Sequence, residues 1–176
     1  AGLAALAGMI GDPAVRNRGT LGGSLANNDP ASDYPAAILA LDATIRTNHR
    51  ESPAQDFFQG MFTTDLDDGE IITAVSFEAP DACAYEKFPN PASRYPMCGV
   101  FVAKGETVRV GVTGAGADGV FRASAMEQAL ASDFSADALA GVSVDPNEML
   151  SDIHGDSVYR ANLVTVMAKR AVSALT

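Results

Sequence analysis

The segment TLGGSLANNDPASD, residues 20–33, holds two adjacent glycines, two adjacent asparagines, two aspartates and three hydroxyl-bearing side chains. Gly22 and Gly23 lack Cβ atoms, so their backbone amides can approach a bulky anionic ligand closely. Thr20 and Ser24 add hydroxyl donors beside them, and successive amides in such a turn form a concave anion site. The segment therefore predicts a paired-glycine turn that binds phosphate.

The second half of the segment extends this prediction to sugar groups. Asn27 and Asn28 can donate and accept hydrogen bonds, and Asp29 and Asp33 can accept from the hydroxyls of a ribose or ribityl chain. This combination suits a dinucleotide, although it matches neither the G-x-G-x-x-G fingerprint nor the phosphate-binding loop with its lysine. A ligand-free alternative, a glycine-rich turn followed by an Asx-rich helix cap, stays open on residue chemistry alone.

The flanking sequence predicts short helices and strands. Asp33 is placed to cap a buried helix over residues 34–43, whose first turn contains Pro35. The sequence also predicts a buried apolar helix over residues 1–10, which begins at a cut edge of a longer chain, and a loop over 11–20 with one helical turn at Asp12 and Pro13. Strands are predicted at 43–47 and 70–78. A turn or short helix is predicted at 53–60, anchored by Phe57 and Phe58.

A break at Pro80 and Asp81 predicts a boundary, with one domain over residues 1–80 and another over 81–176. The second half predicts a small α+β arrangement with strands at 82–88, 99–104 and 107–113, a hairpin turn at KGE, and helices at 124–132, 136–142 and 157–175. In the last helix an apolar stripe recurs every four residues from Tyr159, whereas Arg160, Asn162 and Lys169 lie off it.

Composition limits the partners of the chain. The net charge is −10, so no basic face is expected for nucleic acid. There is no run of eighteen apolar residues, so no membrane span is expected. Cys83 and Cys98 form no C-x-x-C pair, and the two histidines have no second ligand at useful spacing, which argues against a metal site and favours a reduced cytoplasmic protein.

Four stretches carry a family resemblance: residues 10–43, 56–77, 85–100 and 156–172. Together they resemble the flavin-binding medium subunit of aerobic carbon monoxide dehydrogenases, within the xanthine dehydrogenase family of molybdenum hydroxylases. The resemblance implies that residues 1–80 are the second lobe of a molybdopterin-dehydrogenase-type FAD-binding domain. It also implies that residues 81–176 are a C-terminal domain of a three-stranded antiparallel sheet packed on three helices. The family's first flavin motif, in an N-terminal FAD lobe, has no counterpart in this sequence.

The resemblance also implies site residues. The cofactor-binding positions that it suggests are Thr20, Gly22, Gly23 and Ser24 in a flavin loop, Asn27 and Asp33 as polar contacts, Ile10 and Ile72 beside the ring, and Lys87 facing the flavin. Asp33 is expected on a sugar or ribityl hydroxyl. By residue type alone, Ile10 and Ile72 also fit a plain core, and Lys87 beside Glu86 fits an exposed strand pair.

The implied activity is electron transfer in an FAD-dependent oxidoreductase that is not active as an isolated subunit. Substrate is oxidised at a molybdenum cofactor on a large partner subunit, and electrons pass through [2Fe–2S] clusters of a small subunit to FAD and an external acceptor. No catalytic residue is therefore expected in this chain. The expected location is the cytoplasm, or the inner face of the membrane through the complex.

Two alternatives stay open: a non-catalytic docking module formed by residues 82–176, or a flavin subunit acting on a xanthine, an aldehyde or an aromatic acid. Another flavoprotein or nucleotide-binding protein that uses the same loop is a further alternative. Because half of the phosphate contacts are missing, we expect this chain alone to be colourless or to bind FAD weakly. The apolar face of the first helix predicts self-association of the isolated chain.

Overall fold

The computed structural model describes residues 2–176, in which antiparallel sheets are flanked by helices in an α+β arrangement. Ala1, where the sequence suggests a cut edge, lies outside the described residues. The elements of the first half are α1 (Gly2–Met9), α2 (Pro13–Arg18), α3 (Leu21–Asn27), α4 (Tyr34–Ala40), β1 (Thr44–Thr47), β2 (Glu51–Pro53), α5 (Ala54–Phe57), β3 (Phe58–Gly60), β4 (Thr63–Thr64) and β5 (Ile72–Ser76).

The second half forms a four-stranded antiparallel sheet in the order β6-β7-β8-β9. Its elements are β6 (Ala82–Pro89), β7 (Pro96–Lys104), β8 (Val108–Thr113), β9 (Phe121–Arg122), α6 (Ser124–Ser132) and α7 (Ser157–Ser173), with 3-10 turns at Asp137–Leu139 and Pro146–Glu148. The predicted hairpin at KGE is confirmed, because β7 and β8 pair in register across it.

The sequence prediction of three strands and three helices in this half needs two corrections. A fourth strand, β9, pairs with β8 through Val112 and Phe121, but its two residues are too few to show an alternating pattern. The helix expected at residues 136–142 is a single 3-10 turn, and the chain then takes a positive φ of 79° at Gly141, which ends any helical continuation.

Helices cover both faces of the four-stranded sheet. On one face, α6 and α7 bury an apolar cluster that includes Val100, Val112 and Met167. On the other face, Leu6 of α1 and the alanines of α4 pack against Phe101. Gly111 allows this close approach, because a Cβ there would overlap the carbonyl oxygen of Ala36. This second layer joins residues from both sides of the predicted boundary at residue 80.

A smaller sheet, in the order β2-β1-β5, lies in the first half of the chain. Its core contains Leu25 of α3, Ile38 of α4, Ile45 of β1 and Phe57 of α5, all at most 1% exposed. The sheet therefore fixes α3 and α4 relative to each other through shared apolar contacts.

Two predictions for polar residues are also corrected or refined. The stretch expected as a loop with one helical turn forms α2, and the side chain of Asp12 caps it by accepting from the amide of Ala14 at 2.7 Å. Arg160, expected off the apolar stripe, is only 3% exposed, because its guanidinium donates to the carbonyls of Met97 and Gly114.

Among residues 2–176, no helix is both long enough and apolar enough to cross a lipid bilayer.

Candidate functional site

A groove of about 630 Å³ runs along one side of the first half of the chain. It is lined by the C-terminal end of α1, by α2 and α3, by residues 29–34, and by Tyr95 from the loop between β6 and β7. Its volume lies within the range of typical cofactor and ligand sites, roughly 300–1,000 Å³. The segment of residues 20–33 therefore forms much of one wall of this groove.

The paired glycines lie in a helix, so the predicted paired-glycine turn is wrong as local structure. Thr20 is the N-cap of α3, and its hydroxyl accepts from the amide of Gly23 at 2.9 Å. The amide of Ser24 donates to the carbonyl of Thr20 at 3.0 Å. The amides of Gly23 and Ser24 are therefore both bonded within the start of α3 and are not free for a ligand. A threonine three residues before the bonded amide is a helix-start signal, which the glycines obscured.

The two glycines face different ways. Gly23 is exposed and lies on the groove wall, together with the side chains of Thr20 and Ser24. Gly22 faces β5 instead, where an added Cβ would lie 3.7 Å from the Cβ of Ile72. Ile72 packs on the apolar cluster behind α3 and is not part of the groove wall. Gly22 and Ile72 are therefore packing residues that place α3.

The two asparagines also divide their roles. Asn27 is exposed and lines the groove. Asn28 ends α3 in the left-handed conformation, with φ of 42°. Its side-chain amide is buried and donates to the carbonyls of Gly60 and Thr63 at 2.7 and 2.9 Å. Asn28 therefore ties α3 to the β3–β4 hairpin, and Asn27 alone of the pair can reach a ligand.

Asp33 lies at the inner edge of the groove, where it is 4% exposed. The prediction that its side chain caps α4 is wrong, because the carboxylate turns away from the helix and makes no capping bond. It accepts instead from the hydroxyl of Tyr85 at 2.6 Å and from the ammonium of Lys87 at 3.1 Å, and this ammonium also lies 2.9 Å from the other carboxylate oxygen. Burial raises the pKa of Asp33, and the bonds from Tyr85 and Lys87 partly oppose that increase.

Lys87 is not an exposed member of a strand pair, because its side chain is only 3% exposed. Besides Asp33, its ammonium donates to the carbonyl of Met9 at 2.9 Å, at the end of α1. Lys87 and Tyr85 lie two residues apart on β6 and so project from the same face of the sheet. This spacing was visible in the sequence, but nothing in it indicated that Asp33 would lie opposite.

Ile10 lies on the groove wall, half-buried beside α2. Arg16 fixes this corner by donating to the carbonyls of Gly8 and Ile10 at 3.0 and 2.8 Å. Arg16 and Arg18 also line the groove and bring positive charge to it, while Tyr95 adds a half-exposed aromatic ring. Sequence reasoning missed these three residues and the buried Tyr85.

The groove therefore gathers six of the nine predicted site residues on its wall: Ile10, Thr20, Gly23, Ser24, Asn27 and Asp33. Gly22, Ile72 and Lys87 lie behind the wall. The groove offers hydroxyl and amide donors, two arginines, one buried carboxylate, and apolar side chains with two tyrosines. A flavin dinucleotide requires this chemistry of its site. The residues present thus fit such a cofactor.

Comparison with known proteins agrees with this chemistry. Residues 1–79 match the family model described as the FAD binding domain in molybdopterin dehydrogenase. The glyceraldehyde dehydrogenase medium chain of Sulfolobus acidocaldarius is 37% identical over 92% of this chain. The carbon monoxide dehydrogenase medium chain of Hydrogenophaga pseudoflava is 30% identical over 98% of this chain, and the nicotine 6-hydroxylase medium subunit of Paenarthrobacter nicotinovorans is 33% identical over 97%.

Solved structures show the same fold. A carbon monoxide dehydrogenase from Hydrogenophaga pseudoflava superimposes with a TM-score of 0.82 at 32% identity, covering 98% of this chain and 66% of that one. Quinoline 2-oxidoreductase from Pseudomonas putida 86 gives a TM-score of 0.82 at 25% identity, covering 98% and 65%. Residues 1–79 belong to the family of FAD-binding domains in molybdopterin dehydrogenases, and over more than nine tenths of its length the chain is similar to the medium chains named above. It spans 63–66% of the length of the three curated relatives named above.

Proposed function

We propose that this chain is the FAD-carrying part of the medium subunit of a molybdenum hydroxylase, of the carbon monoxide dehydrogenase type. In this role, electrons from [2Fe–2S] clusters of a small partner subunit pass through FAD to an external acceptor. A large partner subunit carries the molybdenum cofactor and oxidises the substrate. The groove beside Asp33 is the observation that supports this proposal most directly, because it lies in a domain of the FAD-binding family.

The bound flavin supplies the redox chemistry, since it can exchange electrons singly or in pairs. The residues of this chain bind and orient it. Thr20, Ser24 and Asn27 present hydroxyl and amide donors to its phosphates and sugar, and Asp33 accepts from a polyol hydroxyl. Ile10 supplies an apolar contact for the ring, and Gly22 and Ile72 act indirectly by holding α3 against β5.

Lys87 is proposed to stabilise negative charge on the reduced cofactor by its own positive charge. Its ammonium already contacts the Asp33 carboxylate and the carbonyl of Met9. Because the ammonium lies behind the groove wall and the side chain is only 3% exposed, it acts on the cofactor by its charge and not by direct contact. The free thiols of Cys83 and Cys98 support a cytoplasmic location, where a reducing environment keeps thiols unpaired.

An aldehyde-oxidising complex is a second candidate, because the glyceraldehyde dehydrogenase medium chain is more similar to this chain, at 37% identity, than the Hydrogenophaga pseudoflava carbon monoxide dehydrogenase chain, at 30%. The substrate would meet the large subunit in either case. No residue of the groove discriminates between carbon monoxide and an aldehyde.

Expression of the complete subunit together with its large and small partner subunits tests the proposal. We expect a complex that contains FAD and reduces an artificial acceptor with carbon monoxide or an aldehyde as donor. Asp33→Asn is expected to lower the FAD content, whereas Glu106→Gln, on an exposed hairpin turn, serves as the matched control. A complex that assembles and turns over without flavin would contradict the proposal and favour a docking module.

A further inference from the structure

We propose that Tyr85 is a positioning residue: its phenol orients the Asp33 carboxylate so that one oxygen stays available for a hydroxyl of the flavin polyol. The inference rests on the proposed function, because it concerns the same groove. Tyr85 is 2% exposed and is not part of the groove wall, so it acts through Asp33 rather than by contact with a ligand.

The contacts of the Asp33 carboxylate leave one acceptor position open. The Oδ1 atom accepts from the Tyr85 hydroxyl at 2.6 Å and lies 2.9 Å from the Lys87 ammonium. Among the residues that the structure describes, Oδ2 accepts only from Lys87, at 3.1 Å. A carboxylate offers about four lone-pair positions, two on each oxygen. Three contacts therefore leave the last position on Oδ2, at a residue that belongs to the groove wall.

Tyr85 is what makes the two carboxylate oxygens unequal. The Lys87 ammonium lies at nearly equal distances from Oδ1 and Oδ2, so its charge attracts the carboxylate as a whole, and its hydrogen bond is made to Oδ2. The Tyr85 hydroxyl contacts Oδ1 alone. A rotation of the carboxylate would break this short, charge-assisted bond, which is stronger than a bond between neutral groups. The phenol thus keeps Oδ2 as the free acceptor.

The surrounding core fixes Tyr85 itself. Its backbone pairs with Phe101 on β7, and the two rings lie 6.4 Å apart. Gly99, two residues before Phe101, leaves the space that the Tyr85 hydroxyl and ring edge occupy, because a Cβ there would overlap both. A side chain confined in this way keeps one rotamer, so its hydroxyl is a fixed reference for Asp33.

Titration of the 176-residue chain with FAD, followed by flavin fluorescence, tests the inference. Tyr85→Phe removes only the hydroxyl, and we expect it to weaken FAD binding about tenfold, as expected for the loss of one bond to a charged group. Tyr159→Phe is the matched control, because it removes a hydroxyl from a half-exposed tyrosine of α7 that is outside the groove. Circular dichroism verifies that each variant is folded.

A double-mutant cycle with Asp33→Asn distinguishes positioning from a general structural effect. If Tyr85 acts through the carboxylate, its removal causes little further loss in the Asp33→Asn background. Unchanged binding by Tyr85→Phe, or an equal loss in both backgrounds, would overturn the inference while leaving the proposed function intact. Absence of any FAD binding by the unmodified chain would instead count against the proposed function, and the inference would fall with it. If Asp33→Asn does not fold, the comparison of Tyr85→Phe with Tyr159→Phe decides alone.

Discussion

Tyr85 and Asp33 are 52 residues apart in the sequence, and the hydroxyl of Tyr85 donates to Oδ1 of Asp33 at 2.6 Å. This bond joins β6 to the residue that precedes α4, across the layer where the first helices cover the four-stranded sheet. The groove wall is thereby connected to the sheet core. Substitutions in β7, far from the groove in sequence, are therefore expected to disturb Asp33.

Gly99→Ala is expected to destabilise the fold, because its Cβ would overlap the hydroxyl of Tyr85. Overpacking of a core typically costs about 1–3 kcal/mol, and the unfolding free energy should fall by that amount in urea denaturation. Gly8→Ala is the control: among residues 2–176, nothing beyond the local backbone of α1 lies within 4 Å of the added Cβ, so the stability should be unchanged or slightly higher. Equal stability of the two variants would show that Tyr85 has room to move.

Glu70 should make the stability of the chain sensitive to acid. Its side chain is fully buried and accepts from Arg50, Thr47 and the amide of Asp67. The bonds from Arg50, followed by those from Asp67 and Thr47, lower the pKa of Glu70 from its ordinary 4.5 to about 2. The unfolded chain binds a proton at Glu70 more tightly than the folded chain does. The stability that ionised Glu70 contributes to the fold is therefore complete above pH 4.5 and is lost as the pH falls towards 2.

Glu70→Gln should therefore be less stable at neutral pH and should lose less stability between pH 4.5 and 2 than the unmodified chain. Urea denaturation across this range measures both effects. Glu106→Gln, which changes an exposed carboxylate, should follow the unmodified chain. A Glu70→Gln profile parallel to that of the unmodified chain would refute the assignment.

Arg160→Met should destabilise the second half of the chain. The guanidinium of Arg160 donates to the carbonyls of Met97 and Gly114 and pairs with Asp152 at 2.7 Å. Its removal leaves two buried carbonyls without these donors, at a cost of ~2–4 kcal/mol. Thermal unfolding measures this loss, and Arg170→Met, an exposed position of the same helix, should change stability by less than about 0.5 kcal/mol. Similar melting temperatures of the two variants would contradict the prediction.

Lys87→Met should lower the midpoint potential of the flavin in the complete subunit, because removal of a positive charge makes reduction less favourable. It should also weaken FAD binding, since Asp33 loses its cation. Spectroelectrochemical titration measures the potential, with Lys169→Met on α7 as the control. An unchanged potential with weaker binding would mean that the charge of Lys87 only neutralises Asp33 and does not stabilise the reduced flavin.

The sequence allowed good predictions where structure depends on local signals. The strands of the second half follow apolar runs bounded by turn residues, and α4 follows Pro35 and an apolar run. The N-cap Thr20 was equally local, but the glycines favoured a turn in the interpretation. The partner of Asp33 was not accessible in this way. Asp33 is a normal cap by sequence, and only the packing of α4 on the sheet brings Tyr85 within reach of its carboxylate.

The most direct measurement of the central claim is a fluorescence titration of the 176-residue chain with FAD, comparing Ser24→Trp with Ala26→Trp. Both positions lie on α3, but Ser24 lines the groove and Ala26 is exposed outside it. The groove assignment predicts weak, saturable binding to the unmodified chain and to Ala26→Trp, and loss of binding in Ser24→Trp. Binding that survives Ser24→Trp unchanged, or no saturable binding to the unmodified chain, would contradict the assignment of this groove to the flavin.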